Sequence, residues 1–408
     1  MFSRVSKFLL SLAPFIMALT TLALLAWTGS LSGAPGANTP FALANLPLLE
    51  RSALRYVGAF SVPRVDGNGH PLTWGGYALT YNPNRQGLFF GCHDWYQRLG
   101  EIGIPTTITL TQTASILQNC TDVTEGRLSL VDDYMPKLGG TLLYNNRLIV
   151  SAYGYYDADY SQVLSHFGSS PDLAVMGEVV GPYQVGEQAG IVAGYMTTIP
   201  AEWRSSFGGP ALTGQCCIPI ISRTSAGPSV SVFNPDDVGS VDPVPAAVVL
   251  NYPLEHPLAP VNTQNDYFNL ATQIVGLAFP PGTRSVLFFG RQGIGPYCYG
   301  TGEGCGDPVD PYQGAHAYPY VHQVWAYDAL DLLAVKNGTK QPWEPRPYAL
   351  WRLSEMDATG SATIAGATFD PASGRVFITE RYGEEPIVHV YQIETAGYNV
   401  YLPLVVVQ

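Results

Sequence analysis

The chain has 408 residues, only 13% of them charged, and a net charge of −12. That balance leaves no basic stripe, so nucleic acid is excluded as a partner. Gly 43, Pro 33 and Tyr 25 favour short strands with tight turns over long helices, so the expected fold is all-β.

At the N-terminus, Arg4 and Lys7 precede an uncharged run from Phe8 to Trp27, 20 residues long and broken only by Pro14. This is the layout of a signal peptide. The run also reaches the roughly 20 residues that cross a bilayer, so an uncleaved anchor is the alternative. Residues 1–32 are therefore read as a signal peptide or membrane anchor, 33–45 as a flexible linker and 46–396 as the folded body. Residues 397–408 form an apolar tail or closing strand, too short to span a membrane as a helix. The expected location is secreted or cell-surface, with the membrane touched only through an uncleaved N-terminal segment. Six cysteines suit an oxidising compartment. Cys298 and Cys305 bracket a short loop that a disulfide would staple. The spacing of Cys92, Cys120, Cys216 and Cys217 leaves their pairing open, and no Cys-x-x-Cys suggests zinc.

Four segments along the body share one layout: a glycine start, an alternating strand, a Pro or Asn turn, a second apolar strand, then a polar or aromatic loop. They are GYALTYNPNRQGLFFGCHD from Gly76, GTLLYNNRLIVSAYGYYD from Gly140, GLAFPPGTRSVLFFGRQG from Gly276 and GATFDPASGRVFITERYGE from Gly366. Three continue into a third strand, beginning at Arg98, His322 and Pro386. A fifth unit is expected between Val185 and Val238, with strands at 191–200 and 218–235 around a helical turn at 201–208. The segment from Arg55 to Pro63 would close a ring against the C-terminal unit. Repeats of three or four antiparallel strands predict a β-propeller, with five blades expected and six the nearest competitor. A β-sandwich or jelly roll with a small second domain is the alternative. This layout resembles the secreted bacterial β-propellers that include glycosidase and sugar-binding families. Trp-Asp endings, Asp-boxes and kelch glycines are missing, so the resemblance implies architecture and carries over no catalytic residue.

In a propeller, the loops joining second and third strands emerge on one face. Here they carry the chemistry: 93–98, 153–166, 291–322 and 380–386. The long insertion 291–322 is rich in tyrosine, and aromatic rings with polar tips suit sugars, because their faces stack while their hydroxyls bond. Expected ligand-binding residues are His93, Trp95, Tyr153, Tyr155, Arg291, Tyr297, Tyr299, His316, Tyr320 and Arg381, for an extracellular glycan or another small ligand. If the protein is an enzyme, Asp94, Asp157 and Glu380 are the candidate acids and bases for glycosidic cleavage, which needs two carboxyls across one cavity. No cofactor is evident. Calcium at Asp307 and Asp310 is a possibility, and so is a metal held by converging His93, His166, His316 and His322, though neither set has diagnostic spacing.

Overall fold

The computed structural model describes residues 40–357, 363–380 and 385–395. The expected signal or anchor, most of the linker, the tail 397–408 and Arg381 lie outside the described residues. After the short helix α1 (Pro40–Ala44), strand β1 (Leu54–Ser61) takes its partner from the far end of the chain.

The strands group in fours, each group antiparallel. The first is β2 (Thr80–Asn82), β3 (Gly87–Gly91), β4 (Leu99–Gly103) and β5 (Ser115–Thr121). The second is β6 (Pro136–Tyr144), β7 (Arg147–Gly154), β8 (His166–Ser169) and β9 (Val180–Tyr183). The third is β10 (Met196–Thr198), β11 (Ala211–Thr213), β12 (Val230–Phe233) and β13 (Ala246–Leu250), with helix α2 (Ala201–Phe207) joining its first two strands. The fourth is β14 (Gln273–Ala278), β15 (Ser285–Gly293), β18 (Tyr320–Asp328) and β19 (Ala349–Arg352). Inside its central connection sits a two-stranded ribbon of β16 (Cys298–Tyr299) and β17 (Ala315–His316), and helix α3 (Ala329–Lys336) precedes β19. The last group is β20 (Ile364–Asp370), β21 (Arg375–Glu380) and β22 (Ile387–Ile393), completed by β1. β1 pairs with β22 from Leu54↔Ile393 to Ser61↔Ile387, the closure expected from the sequence.

The first strands of the groups neighbour one another in a cycle: β2 with β6, β6 with β10, β10 with β14, β14 with β20, and β20 with β2. β14 and β20 run parallel at Gly276↔Ala367. The repeated glycines are explained by this crowding. A Cβ on Gly140 would strike the Gly194 carbonyl oxygen, one on Gly276 would strike the Ala367 methyl, and one on Gly366 would sit 2.5 Å from the Gly76 carbonyl oxygen.

Hydrophobic clusters fill the spaces between adjacent groups, and this explains the unbroken apolar runs. Successive strand residues point to opposite faces of the sheet. In β3, Leu88 and Phe90 pack with Phe377 and Val390, while Phe89 packs with Val150 and Phe167. In β15, Val286 and Phe288 join Leu212 and Val230, while Leu287 and Phe289 join Ile378 and Tyr391. Leu142 and Ile149 meet Ala211 and Phe233 in the remaining cluster. Each sheet is thus buried on both faces, and the architecture is β-propeller-like.

Two expectations need correction. The proposed strand from Ile218 is largely loop: Pro219 and Pro228 supply no N–H to a ladder, and β12 starts only at Val230. The expected 291–322 insertion is shorter, 294–319, because β15 runs to Gly293 and β18 begins at Tyr320, with Arg291 paired to His322 in register.

Candidate functional site

Within each group the strands alternate in direction, so the connection between the second and third strands and the connection leading to the next group's first strand leave at the same end. The exposed aromatic side chains among the described residues fall in these two kinds of connection. Trp95 (85% exposed), Tyr96, Tyr155, Tyr156, Tyr160, Tyr299 (68%), Tyr312 (76%) and Tyr318 lie in the first kind. Trp74, Tyr134 and Tyr267 lie in the second. The exposed apolar residues in the third-to-fourth-strand connections, Leu110, Val175, Met176 and Val241, are aliphatic or Met.

In the loop after β3, the Trp95 N–H donates to His93 Nδ1 (3.1 Å), and the His93 ring leans on Tyr96. Asp94 accepts from Lys137 Nζ at 2.9 Å. The base of this loop is tied to β5 by a disulfide between Cys92 and Cys120.

In the loop after β7, Asp157 is buried and its Oδ2 accepts from both Arg223 Nε (2.8 Å) and Arg223 Nη2 (2.5 Å). Burial raises the carboxyl's pKa, but the Arg223 hydrogen bonds and the N–H groups of Ser161 and Gln162 outweigh it and hold Asp157 below the usual carboxylate range. Tyr160 covers the Arg223 guanidinium, whose carbon lies 4.2 Å from the ring centre. Beside this pair, a cleft of about 250 Å³ is lined by Tyr160, Gln188, Ser222, Thr224, Asn251 and Glu255. Asn251 Oδ1, buried there, has no hydrogen-bond partner among the described residues. A larger depression of about 570 Å³ runs along β5 between Arg85 and Asp172.

The 294–319 insertion is braced from within. The expected disulfide joins Cys298 to Cys305, and the ribbon pairs Cys298 with His316. Asp307 Oδ2 accepts from the Tyr320 hydroxyl (2.5 Å) and faces His316 Nδ1 (3.1 Å), while Asp307 Oδ1 accepts from the Val309 and Asp310 N–H groups. Both Asp307 oxygens are thus engaged by neighbouring polar groups. Beneath lies Arg291, 3% exposed, 3.7 Å from Asp310 and stacked under the Tyr320 ring. Burial lowers the Arg291 pKa. Tyr297 is half-buried and burial raises its hydroxyl's pKa, whereas Tyr299 stands out in solvent.

Glu380 is buried on β21 and meets His389 Nε2 at 2.9 Å, and His389 Nδ1 lies 3.1 Å from the Tyr56 hydroxyl on β1. The three sequence-derived acids therefore each engage a different basic side chain: Lys137, Arg223 and His389. The four histidines of the metal expectation do not converge. His93 holds the Trp95 turn, His166 is buried between Ser165 and Thr213, His316 faces Asp307, and His322 faces Asp357. Among the described residues, no group of three or more His, Cys, Asp or Glu could hold a metal ion.

Tyr153, Arg291 and His316 are buried, and the exposed members of the expected ligand set are Trp95, Tyr155 and Tyr299. Sequence reasoning passed over Arg223, Lys137 and Tyr160, and over the aromatics of the fourth-to-first connections. Strand alternation was the available signal for those aromatics, since it sends both kinds of connection to one end.

No protein-family model and no curated protein matches this chain. Among solved structures, it is similar to a DUF4221 family member from Bacteroides vulgatus, with 11% identity over 86% of this chain and 96% of that one (TM-score 0.33). It is also similar to the β-propeller domain of Cps50 (Swd1) from Myceliophteria thermophila, with 6% identity over 78% and 83% (TM-score 0.31). A third similarity is to the PQQ domain of pyranose dehydrogenase from Coprinopsis cinerea, with 11% identity over 87% and 98% (TM-score 0.33). Scores at this level leave the fold to be read from the chain's own strand pairing.

Proposed function

We propose that this protein is an exported, secreted or cell-surface five-bladed propeller that binds a glycan on one aromatic-rich face. The observation that carries the reading is the segregation of exposed aromatics: Trp95, Tyr155, Tyr299, Tyr312 and their neighbours occupy connections that leave the sheets at one end. Exposed rings on a soluble domain are costly unless something covers them, and a pyranose ring stacks on such faces while its hydroxyls reach polar neighbours. The cleft beside Tyr160 adds amide, hydroxyl and carboxylate groups suited to those hydroxyls. The five-blade count is supported by the cyclic order of the inner strands and by the clusters between groups. Two disulfides agree with an oxidising compartment.

Binding is favoured over hydrolysis because a glycosidase needs two carboxyls facing one cavity about 5 to 10 Å apart. Asp94, Asp157 and Glu380 instead have separate basic partners. The test is a glycan array probed with the purified protein. Retention on a defined set of glycans is expected, and silence across the array would count against sugar recognition.

A further inference from the structure

We infer that the cleft beside Tyr160 is a subsite for an amino sugar, a single pyranose unit whose protonated amine enters between Asn251 and Glu255. This deepens the glycan-binding reading and rests on it. The cleft lies at the aromatic end, because each of its walls belongs to a connection that leaves the sheets there. Tyr160 comes from the β7–β8 loop, and Gln188 from the passage between the second and third groups. Ser222 and Thr224 come from the β11–β12 loop, and Asn251 and Glu255 from the passage between the third and fourth groups. A volume of about 250 Å³ suits one sugar ring better than a chain of them.

The lining is rich in acceptors. Asn251 Oδ1 is buried with no hydrogen-bond partner among the described residues, and the Asn251 backbone N–H is tied to the Pro342 carbonyl oxygen (3.0 Å). The Thr224 hydroxyl donates its one hydrogen to Gln215 Oε1, so what it has left to offer is lone pairs. Gln188 spends an amide hydrogen on the Arg223 carbonyl oxygen (3.3 Å). Among the described residues lining the cleft, exposed Glu255 carries the only formal charge, and it is negative. The neighbouring cation, Arg223, is already committed: Asp157 Oδ2 accepts from its Nε and Nη2, and Tyr160 covers its face. A buried acceptor without a partner is costly, and a ligand that donates to it recovers the loss. A hydroxyl would suffice for Asn251 alone. An ammonium group does more, because it brings three donors and a positive charge for the Glu255 carboxylate while the sugar ring lies against Tyr160. An N-acetylated sugar is disfavoured, since its amide is neutral and adds a carbonyl oxygen to a lining that already accepts.

The experiment titrates the purified full chain, near neutral pH, with methyl glucosaminide, methyl glucoside and methyl N-acetylglucosaminide, read by isothermal calorimetry. The glucosaminide is expected to bind about tenfold more tightly than either of the others, the gain from one charge-assisted hydrogen bond. Glu255→Gln should bring the three sugars close to parity. A merely structural role for Glu255 would instead weaken all three alike and keep their ratio. Glu255 is exposed, so its variant decides the matter even if an Asn251→Leu variant does not fold. No binding of the glucosaminide, equal affinity for the glucosaminide and the glucoside, or a preference that survives in Glu255→Gln would overturn the inference. Glycan-array hits with no preference for free amines would sink the subsite alone, whereas silence across the array would sink the sugar reading with it.

Discussion

His166 shows how one buried side chain writes a pH dependence into the whole fold. Thr213 Oγ1 donates to the Val192 carbonyl, so it accepts from His166 Nε2–H, and Nδ1 is left to accept from the Ser165 hydroxyl. The ring is thus satisfied in its neutral form, and burial pushes its pKa down to about 3. An unfolded histidine takes up a proton near pH 6.5, while the folded one does not until about 3. Stability is therefore lost as pH falls through that window, by about 2 kcal/mol at pH 5. Urea unfolding at pH 7 and pH 5 should show this loss in wild type, and His166→Gln should lose about 2 kcal/mol less between the two. Equal losses would refute the assignment. The sequence marked His166 only as a loop histidine near other candidates. Its burial between two hydroxyls depends on the approach of β11, and nothing local signals that approach.

The 294–319 insertion is a small structure of its own. Asp307 is its hub: burial raises the carboxyl's pKa, and donors from Tyr320, Val309, His316 and Asp310 outweigh that and hold it low. Its contribution is accordingly present above about pH 4 and fades as pH falls through the depressed value. Asp307→Asn should speed amide hydrogen exchange across residues 294–319 and leave β6 to β9 unchanged, as measured by exchange mass spectrometry. Unchanged exchange in the insertion would mean that the Cys298–Cys305 disulfide alone holds it. The sequence supplied the tyrosines, the disulfide and the existence of an insertion. It overran the edges because Arg291 and His322 are buried polar strand residues, and polar residues at strand ends read as loop. The third group was blurred for a related reason, since its first two strands are only three residues long and carry little periodicity.

At the scale of the molecule, the glycine that opens each repeat was legible as a pattern, while its cause was not. The cause is the crowding of inner strands at the middle of the ring. Gly366→Val should therefore cost about 3 kcal/mol in urea unfolding, because the new side chain would meet the Gly76 carbonyl oxygen and the Leu79 Cβ. Gly302→Val, where a Cβ meets nothing within 4 Å, should stay within about 0.5 kcal/mol of wild type. The closing strand was read correctly from sequence because strand alternation leaves a direct imprint; the apolar second strands were seen as strands, while their burial on both faces became clear only in the packing. The aromatic end was read only in part, because Trp74, Tyr134 and Tyr267 arrive through connections that carry no repeat signature. Isothermal titration of the strongest glycan-array hit tests the account most directly. It compares wild type, the triple variant Trp95→Ala, Tyr299→Ala, Tyr312→Ala, and an opposite-end variant, Leu110→Ser with Met176→Ser. Removing three stacking rings at ~1 kcal/mol each should weaken binding about a hundredfold, with the opposite-end variant binding as wild type does; equal affinity for all three proteins would contradict the single working face.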